Sequence, residues 1–294
     1  MFKMSEYAFV AAILATGLAL ILYLGYALSG LRAARMQTAG ATVRTGVMGF
    51  SSGPRTAGLG RYATILGWLG FAFLTAWVVF RTLATGHGPF ANMYEFSVAF
   101  AWGILAAYVW FEHRYHQRLL ALVALPIALG LMAYATTIPS TIEPLVPALQ
   151  NNLMLTVHVA VAIVAYGSFT IAFAAAVAYL VQPAGGRWGL PRPSVVDEIG
   201  YRSIVVGFPF LTLTIVLGAL WAEGAWGRYW SWDPKETASF VTWLIYGAYL
   251  HARVIRGWRG QRAAGLLVLG FAATIFTYFG NLFFGGLHSY AGLG

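Results

Sequence analysis

The sequence has 294 residues, of which 60% are hydrophobic and only 9% charged, with a net charge of +9. Soluble domains carry about 25% charged residues, so a water-facing globule of this size is excluded and lipid is the expected solvent. The basic excess does not point to nucleic acid, because the basic residues lie in short stretches between apolar runs, and the lack of cysteine excludes thiol redox chemistry, thiolate ligation and covalent cofactor attachment by the chain itself.

A bilayer is crossed by roughly 17–25 helical residues, and eight apolar runs meet that length. They are Tyr7–Ser29, Tyr62–Phe80, Tyr94–Phe111, Leu119–Ala135, Met154–Val181, Ser203–Ala222, Ala238–Ile255 and Ala263–Phe284. The expected fold is an all-α integral membrane bundle of about eight transmembrane helices. The first run is too long for a signal-peptide core and is followed by Arg32 and Arg35, so it reads as a retained span. With the N-terminus outside, 14 of the 18 Lys and Arg residues fall in inside loops and 4 outside. The positive-inside rule then places both termini on the extracytoplasmic face.

Between the first two runs, Leu31–Gly60 is rich in Gly, Ala, Thr, Ser and Arg and reads as a flexible cytoplasmic linker without chemistry. In the next outside loop, Gly86-His-Gly-Pro-Phe-Ala-Asn-Met-Tyr-Glu95, Glu95 opens the third run and suits a capping or pairing role. His113 and His116 sit among arginines in an inside loop and read as solvated. His158 lies a few residues into the fifth run, near the outer face.

The loop before the seventh run holds Trp221, Trp226, Tyr229, Trp230 and Trp232 within twelve residues. Such a density fits either an interfacial aromatic belt or a shelf of rings for a flat apolar ligand. Asp233-Pro234-Lys235-Glu236 has the form of a capping box: Asp as N-cap, Pro at the first helical position, Glu at the third. His288 follows the eighth run, so His158, His288 and the Trp loop share one face. Two imidazoles beside an aromatic shelf match the axial ligand set of a haem iron. The alternative is a pair of ordinary interfacial histidines. His251 lies 18 residues beyond Asp233, about 27 Å along a helix, at the inner end of the seventh run. Trp243, Gly247 and His251 form a stripe there, with the glycine leaving room for a bulky group; a helix-end histidine that snorkels is the other reading. No HExxH, cysteine cluster, nucleotide loop or paired intramembrane carboxylate is present.

The run Trp226-Gly-Arg-Tyr-Trp230-Ser-Trp232-Asp233-Pro234-Lys235-Glu236, with Trp243 and Tyr249-Leu-His251 behind it, resembles the WWD domain of haem-handling membrane proteins. With the His87–Glu95 loop, Leu-Thr-Val-His158 and Leu-His288-Ser-Tyr, the chain over roughly 62–290 resembles the CcsA (ResC) family of cytochrome c maturation system II. The resemblance implies a division into a first helix and linker (1–61) and a seven-helix haem-handling core (62–294), with the WWD loop at 221–237. It implies His158 and His288 as external axial ligands of haem b, and Trp226, Trp230, Trp232 and Asp233 as the porphyrin-holding loop. His251, near Trp243, would be an intramembrane ligand where haem arrives from the cytoplasmic side.

The implied activity is that of a subunit of a holocytochrome c synthase, with no catalytic residue beyond those that position haem. Its partners would be a CcsB (ResB)-like membrane protein, an apocytochrome c bearing Cys-x-x-Cys-His and, indirectly, thiol-reducing thioredoxin-like proteins, with no nucleic acid. The setting would be a bacterial cytoplasmic (inner) membrane or a thylakoid membrane. A haem exporter without attachment activity needs the same ligands, and a structural subunit of a membrane complex needs none of them.

Overall fold

The computed structural model describes residues 1–40, 54–142, 145, 149–150, 152–182, 191–280 and 283–288. Among these the chain is all helical, with eight long helices in four sequential hairpins. Helix α1 (Phe2–Gly40) packs on α2 (Pro54–Thr85), and α3 (Met93–Tyr115) on α4 (Ala121–Ala135) through a 3-10 turn over Arg118–Leu120. Likewise α5 (Asn152–Val181) packs on α6 (Pro193–Trp226), and α7 (Pro234–Ile255) on α8 (Gln261–Phe279). Seven of the eight are long and apolar enough to span a membrane. The exception, α7, has 22 residues but is less apolar, with Lys235 and Glu236 in its first turn and Arg253 in its last.

The centre of the bundle is α5, which also packs against α3 and α8. Close approach there depends on two facing glycines: a Cβ on Gly167 would lie 2.7 Å from the Gly103 carbonyl oxygen. Without an apolar driving force between helices in lipid, such small-residue contacts let backbones pack tightly.

Each end of the α1–α2–α3 unit is held by a buried carboxylate. At one end, Arg81 and Glu95 are 0% and 1% exposed and pair at 2.7 Å. Arg81 also donates to the Ser140 carbonyl (2.8 Å), and Glu95 accepts from the Ala91 N–H (2.8 Å). Asn92 caps α3 by accepting from the Glu95 N–H. The Glu95 expectation is therefore met, while Arg81, one residue beyond the apolar run that ends at Phe80, is fully buried inside α2. At the other end Glu112 accepts from Tyr23 and Tyr108 at 2.6 Å each, and from Thr64, so that α1, α2 and α3 converge on one carboxylate.

Two boundaries differ from the sequence reading. The expected linker is largely helix: α1 runs to Gly40 and α2 starts at Pro54, and the remainder of Leu31–Gly60 lies outside the described residues. Ala, Leu and Arg are strong helix formers, so the low apolarity of that stretch limits the membrane span without ending the helix. The aromatic loop is also shorter than 221–237. Trp221 and Trp226 belong to the last turns of α6, which stops only at Gly227, a left-handed C-cap (φ 72°) whose N–H bonds the Glu223 carbonyl.

Candidate functional site

Asp233 organises the site. As the N-cap of α7 it accepts from the Lys235 N–H (2.9 Å), and Glu236 returns the bond to the Asp233 N–H (3.2 Å), completing the expected capping box. Glu236 also accepts from the Ser231 N–H (2.8 Å), so the tryptophan loop is fastened to the helix it precedes. The same Asp233 carboxylate then captures the tail. Oδ2 accepts from the Leu287 N–H (2.6 Å), and Oδ1 accepts from His288 Nδ1–H (2.9 Å). That bond fixes the tautomer and turns Nε2 away from the carboxylate, as the outer carboxylate partners of metal-bound histidines do.

The electrostatics follow. Burial raises the Asp233 carboxyl, but the bonds from His288, Lys235 and Leu287 overcome it and hold the group down at about 2. Burial pushes the His288 imidazole below its ordinary value, against the pull of Asp233, which keeps the ring in its neutral, ligating form.

His158 reaches the same place from α5. Its Nδ1 is buried with no hydrogen-bond partner among the described residues. Room for the ring is made by Gly218 on α6, where a Cβ would stand 2.8 Å from the imidazole Cε1. Trp221 lies between the two histidines: its ring is stacked with His158 (centroids 6.5 Å, 13°) and tilted against His288 (6.0 Å, 47°). Trp226 meets His288 edge-on at 4.9 Å.

These groups border a cleft between α3, α5, α6, α7 and α8. Its wall is mainly apolar and aromatic, with Phe96, Phe100, Tyr166, Tyr229, Trp230 and Tyr278 beside His158 and His288. Lys235 also lines it, its ammonium 5.8 Å over the Phe96 ring and paired with no carboxylate among the described residues.

The residues singled out from sequence therefore separate into two groups. His158, His288, Trp226, Trp230 and Asp233 come together. Trp232 adjoins Trp230 (5.7 Å, perpendicular) but is 67% exposed, with its backbone at φ 59°. Trp243 stacks on Phe208 of α6 (5.5 Å) and donates to Thr212 (2.9 Å); Gly247 also faces Phe208, so this stripe packs against α6 instead of opening a pocket. His251 is exposed on α7 and does not border the cleft. Sequence reasoning missed Gly218, Trp221 as the ring between the histidines, and Lys235 as a cleft residue. Lys235 carried a signal in its neighbour Asp233, and Trp221 in its place in the aromatic cluster; Gly218 carried none.

Residues 90–288 match the family described as cytochrome C assembly protein. The chain is 36% identical over 241 residues to the cytochrome c biogenesis protein CcsA of Guillardia theta, covering 72% of this chain and 80% of that one. It is 37% identical over 264 residues to that of Synechococcus elongatus, covering 71% and 81%, and 34% identical over 298 residues to that of Microcystis aeruginosa, covering 82% and 90%. In fold it is similar to the solved structure of the cytochrome c heme lyase CcmF, with a TM-score of 0.57 at 22% identity over 91% of this chain and 46% of that one. The chain thus spans less than half the length of that protein. By the family match and the extent of its likeness to these relatives, the chain belongs to the cytochrome c assembly protein family, among its CcsA members.

Proposed function

We propose that the chain presents haem for covalent attachment to apocytochrome c, as the CcsA-like subunit of a holocytochrome c synthase. The observation that carries this reading is the paired histidines: His288 oriented through Nδ1 by Asp233, and His158 with an unpartnered buried nitrogen, at one apolar cleft behind a tryptophan wall. The donor set fits a haem iron, and the apolar, aromatic wall with Lys235 at its edge suits a flat apolar ring edged by charge. Lys235 supports the reading further, because a carboxylate-bearing porphyrin would give its ammonium a counter-ion.

In this mechanism the chain's residues bind and orient. His158 and His288 would hold the iron, and Trp221 and Trp230 would exclude water from the ring. Each thiol of the Cys-x-x-Cys-His segment adds across one vinyl double bond: sulfur bonds the carbon next to the ring and hydrogen goes to the terminal carbon. No external oxidant is needed, and thioredoxin-like proteins would keep the thiols reduced. The substrate histidine replaces one of the two chain histidines, so product can leave. His251, exposed on α7, suits a second holding position completed by a CcsB-like partner that covers this face. The setting is a bacterial inner membrane or a thylakoid, and the resident group is haem b as substrate.

The visible spectrum of detergent-purified protein tests this. Wild type should show a Soret band with low-spin reduced features, weakened in His158→Ala and His288→Ala and restored by added imidazole. His251→Ala should lose only the haem held with the partner present. Lys235→Met should weaken binding of haem yet leave that of haem dimethyl ester, which lacks the carboxylates, unchanged. Protein that stays colourless with added haem and co-expressed partner would overturn the reading.

A further inference from the structure

The opposite end of the bundle holds a second cleft that the haem reading does not use. Gln182, at the end of α5, follows His158 by 24 residues, about 36 Å along the helix axis. It borders a cleft of about 710 Å³ that Arg256, Arg259 and Arg262 also line, together with Trp258 and Tyr179. Among the described residues no acid lines it, and none of the three arginines forms an ion pair. Arg262 instead lies 5.9 Å over the Trp258 ring.

The nearby acids are engaged in holding the loop itself. Asp197 of α6 pairs with Arg253 (2.7 Å) and accepts from the Gly260 N–H (3.0 Å). Arg253 donates to the Trp258 carbonyl (3.2 Å), and the Trp258 N–H bonds the Ala252 carbonyl (3.0 Å). The connector between α7 and α8 is thus fixed by an internal ion pair, and Arg256 and Arg259 of the connector, with Arg262 in the first turn of α8, are presented without counter-charge among the described residues.

Gln182 says what is missing. It is 8% exposed, yet neither its Oε1 nor its Nε2 has a hydrogen-bond partner among the described residues. Buried amides are almost always bonded, because an unmet donor or acceptor forfeits its solvation. This amide asks for an acceptor on Nε2 and a donor on Oε1 at once, and the surrounding forks of N–H groups match phosphate oxygens. A ligand that carries a phosphate anion with neighbouring hydroxyls meets both demands. A basic cleft at the end of membrane-spanning helices, with Trp258 at its rim, faces such groups in the lipid headgroup layer.

We infer that this cleft binds the headgroup of an anionic, hydroxyl-bearing phospholipid of the phosphatidylglycerol kind. The arginines and Gln182 Nε2 take the phosphate, and Gln182 Oε1 takes a glycerol hydroxyl. Native mass spectrometry of the full chain released from nanodiscs tests it. Wild type should retain phosphatidylglycerol over phosphatidylethanolamine, and raised salt should strip it. The triple variant Arg256→Gln, Arg259→Gln, Arg262→Gln should lower retention by on the order of a hundredfold. Gln182→Leu should abolish the preference for phosphatidylglycerol over phosphatidic acid, which lacks the glycerol hydroxyls. Should the triple variant not fold, the wild-type lipid preference and Gln182→Leu still decide the matter. Equal retention of the zwitterionic lipid, or variants that behave as wild type, would overturn the inference. Full displacement of the lipid by free glycerol 3-phosphate would also overturn it, by assigning the cleft to a soluble phosphate.

Discussion

Asp233 does two jobs with one side chain, and substitutions can separate them. Asn caps helices about as well as Asp, so Asp233→Asn preserves the start of α7. It has only one acceptor oxygen, however, where the carboxylate serves Lys235, Leu287 and His288. Asp233→Asn should therefore weaken haem retention by about 10–100-fold, the usual cost of losing an outer-shell partner, while the thermal unfolding of α7 is little changed. Asp233→Ala should add a capping loss of about 1 kcal/mol. Acid gives an independent readout. A carboxyl held at about 2 contributes stability that is complete above its ordinary value near 4 and fades as the pH falls through about 2. Between those limits the melting temperature of wild type should fall more steeply than that of Asp233→Asn; equal slopes would mean the tail is not held by this charge. Gly218 tests the other histidine without touching it. A methyl in Gly218→Ala must displace the His158 ring, so the Soret band should weaken as in His158→Ala, with a stability cost of about 1–3 kcal/mol from overpacking.

At the scale of elements, the buried pair between α2 and α3 carries the clearest expectation. Arg81→Met leaves Glu95 charged and enclosed, which should cost about 3–5 kcal/mol; Arg81→Met with Glu95→Gln should recover most of it in detergent unfolding curves. A double variant no better than the single would mean that the Arg81 bond to the Ser140 carbonyl, and not the ion pair, holds these helices. Arg81 also marks where reading the sequence stopped short. Local features were legible: the apolar runs, the Asp233-Pro234-Glu236 box and the Glu95 turn each depend on neighbours within one helical turn. The meeting of His158 with His288 was legible as well, since counting helices puts both at one end. What could not be read depends on side-to-side packing between distant segments. Nothing in the pattern around Arg81 says that a carbonyl of the α4–α5 connection, 59 residues on, accepts from it, and nothing around Gly218 says that an imidazole from α5 fills its missing side chain. The Trp243–Gly247–His251 stripe shows the same limit, because the ring packed against it is Phe208 on another helix.

For the whole molecule, the weak apolarity of α7 raises the question of how many times the chain crosses the bilayer. The geometry ties the answer to the site. Asp233 at the start of α7 bonds Leu287 and His288 beyond the end of α8, so α7 and α8 form an antiparallel hairpin that crosses together or not at all. If neither crossed, the end of α6 and the tail would still share a face, but the hairpin would have to lie in water, and α8 is apolar enough to span. The charges of α7 sit only in its end turns, Lys235 and Glu236 against Arg253, which leaves an uncharged middle for the hydrocarbon. Eight crossings would return the chain to its starting side, and the positive-inside rule predicts that side to be extracytoplasmic. We expect alkaline phosphatase fused after either terminus to be active and green fluorescent protein fused there to be dark, with the reverse for both reporters inserted after Arg259 in the α7–α8 connector. A connector reporter active outside would mean that the hairpin does not cross. The arginine cleft would then share the outer face with His158 and His288, and one face alone would have to serve both ligands.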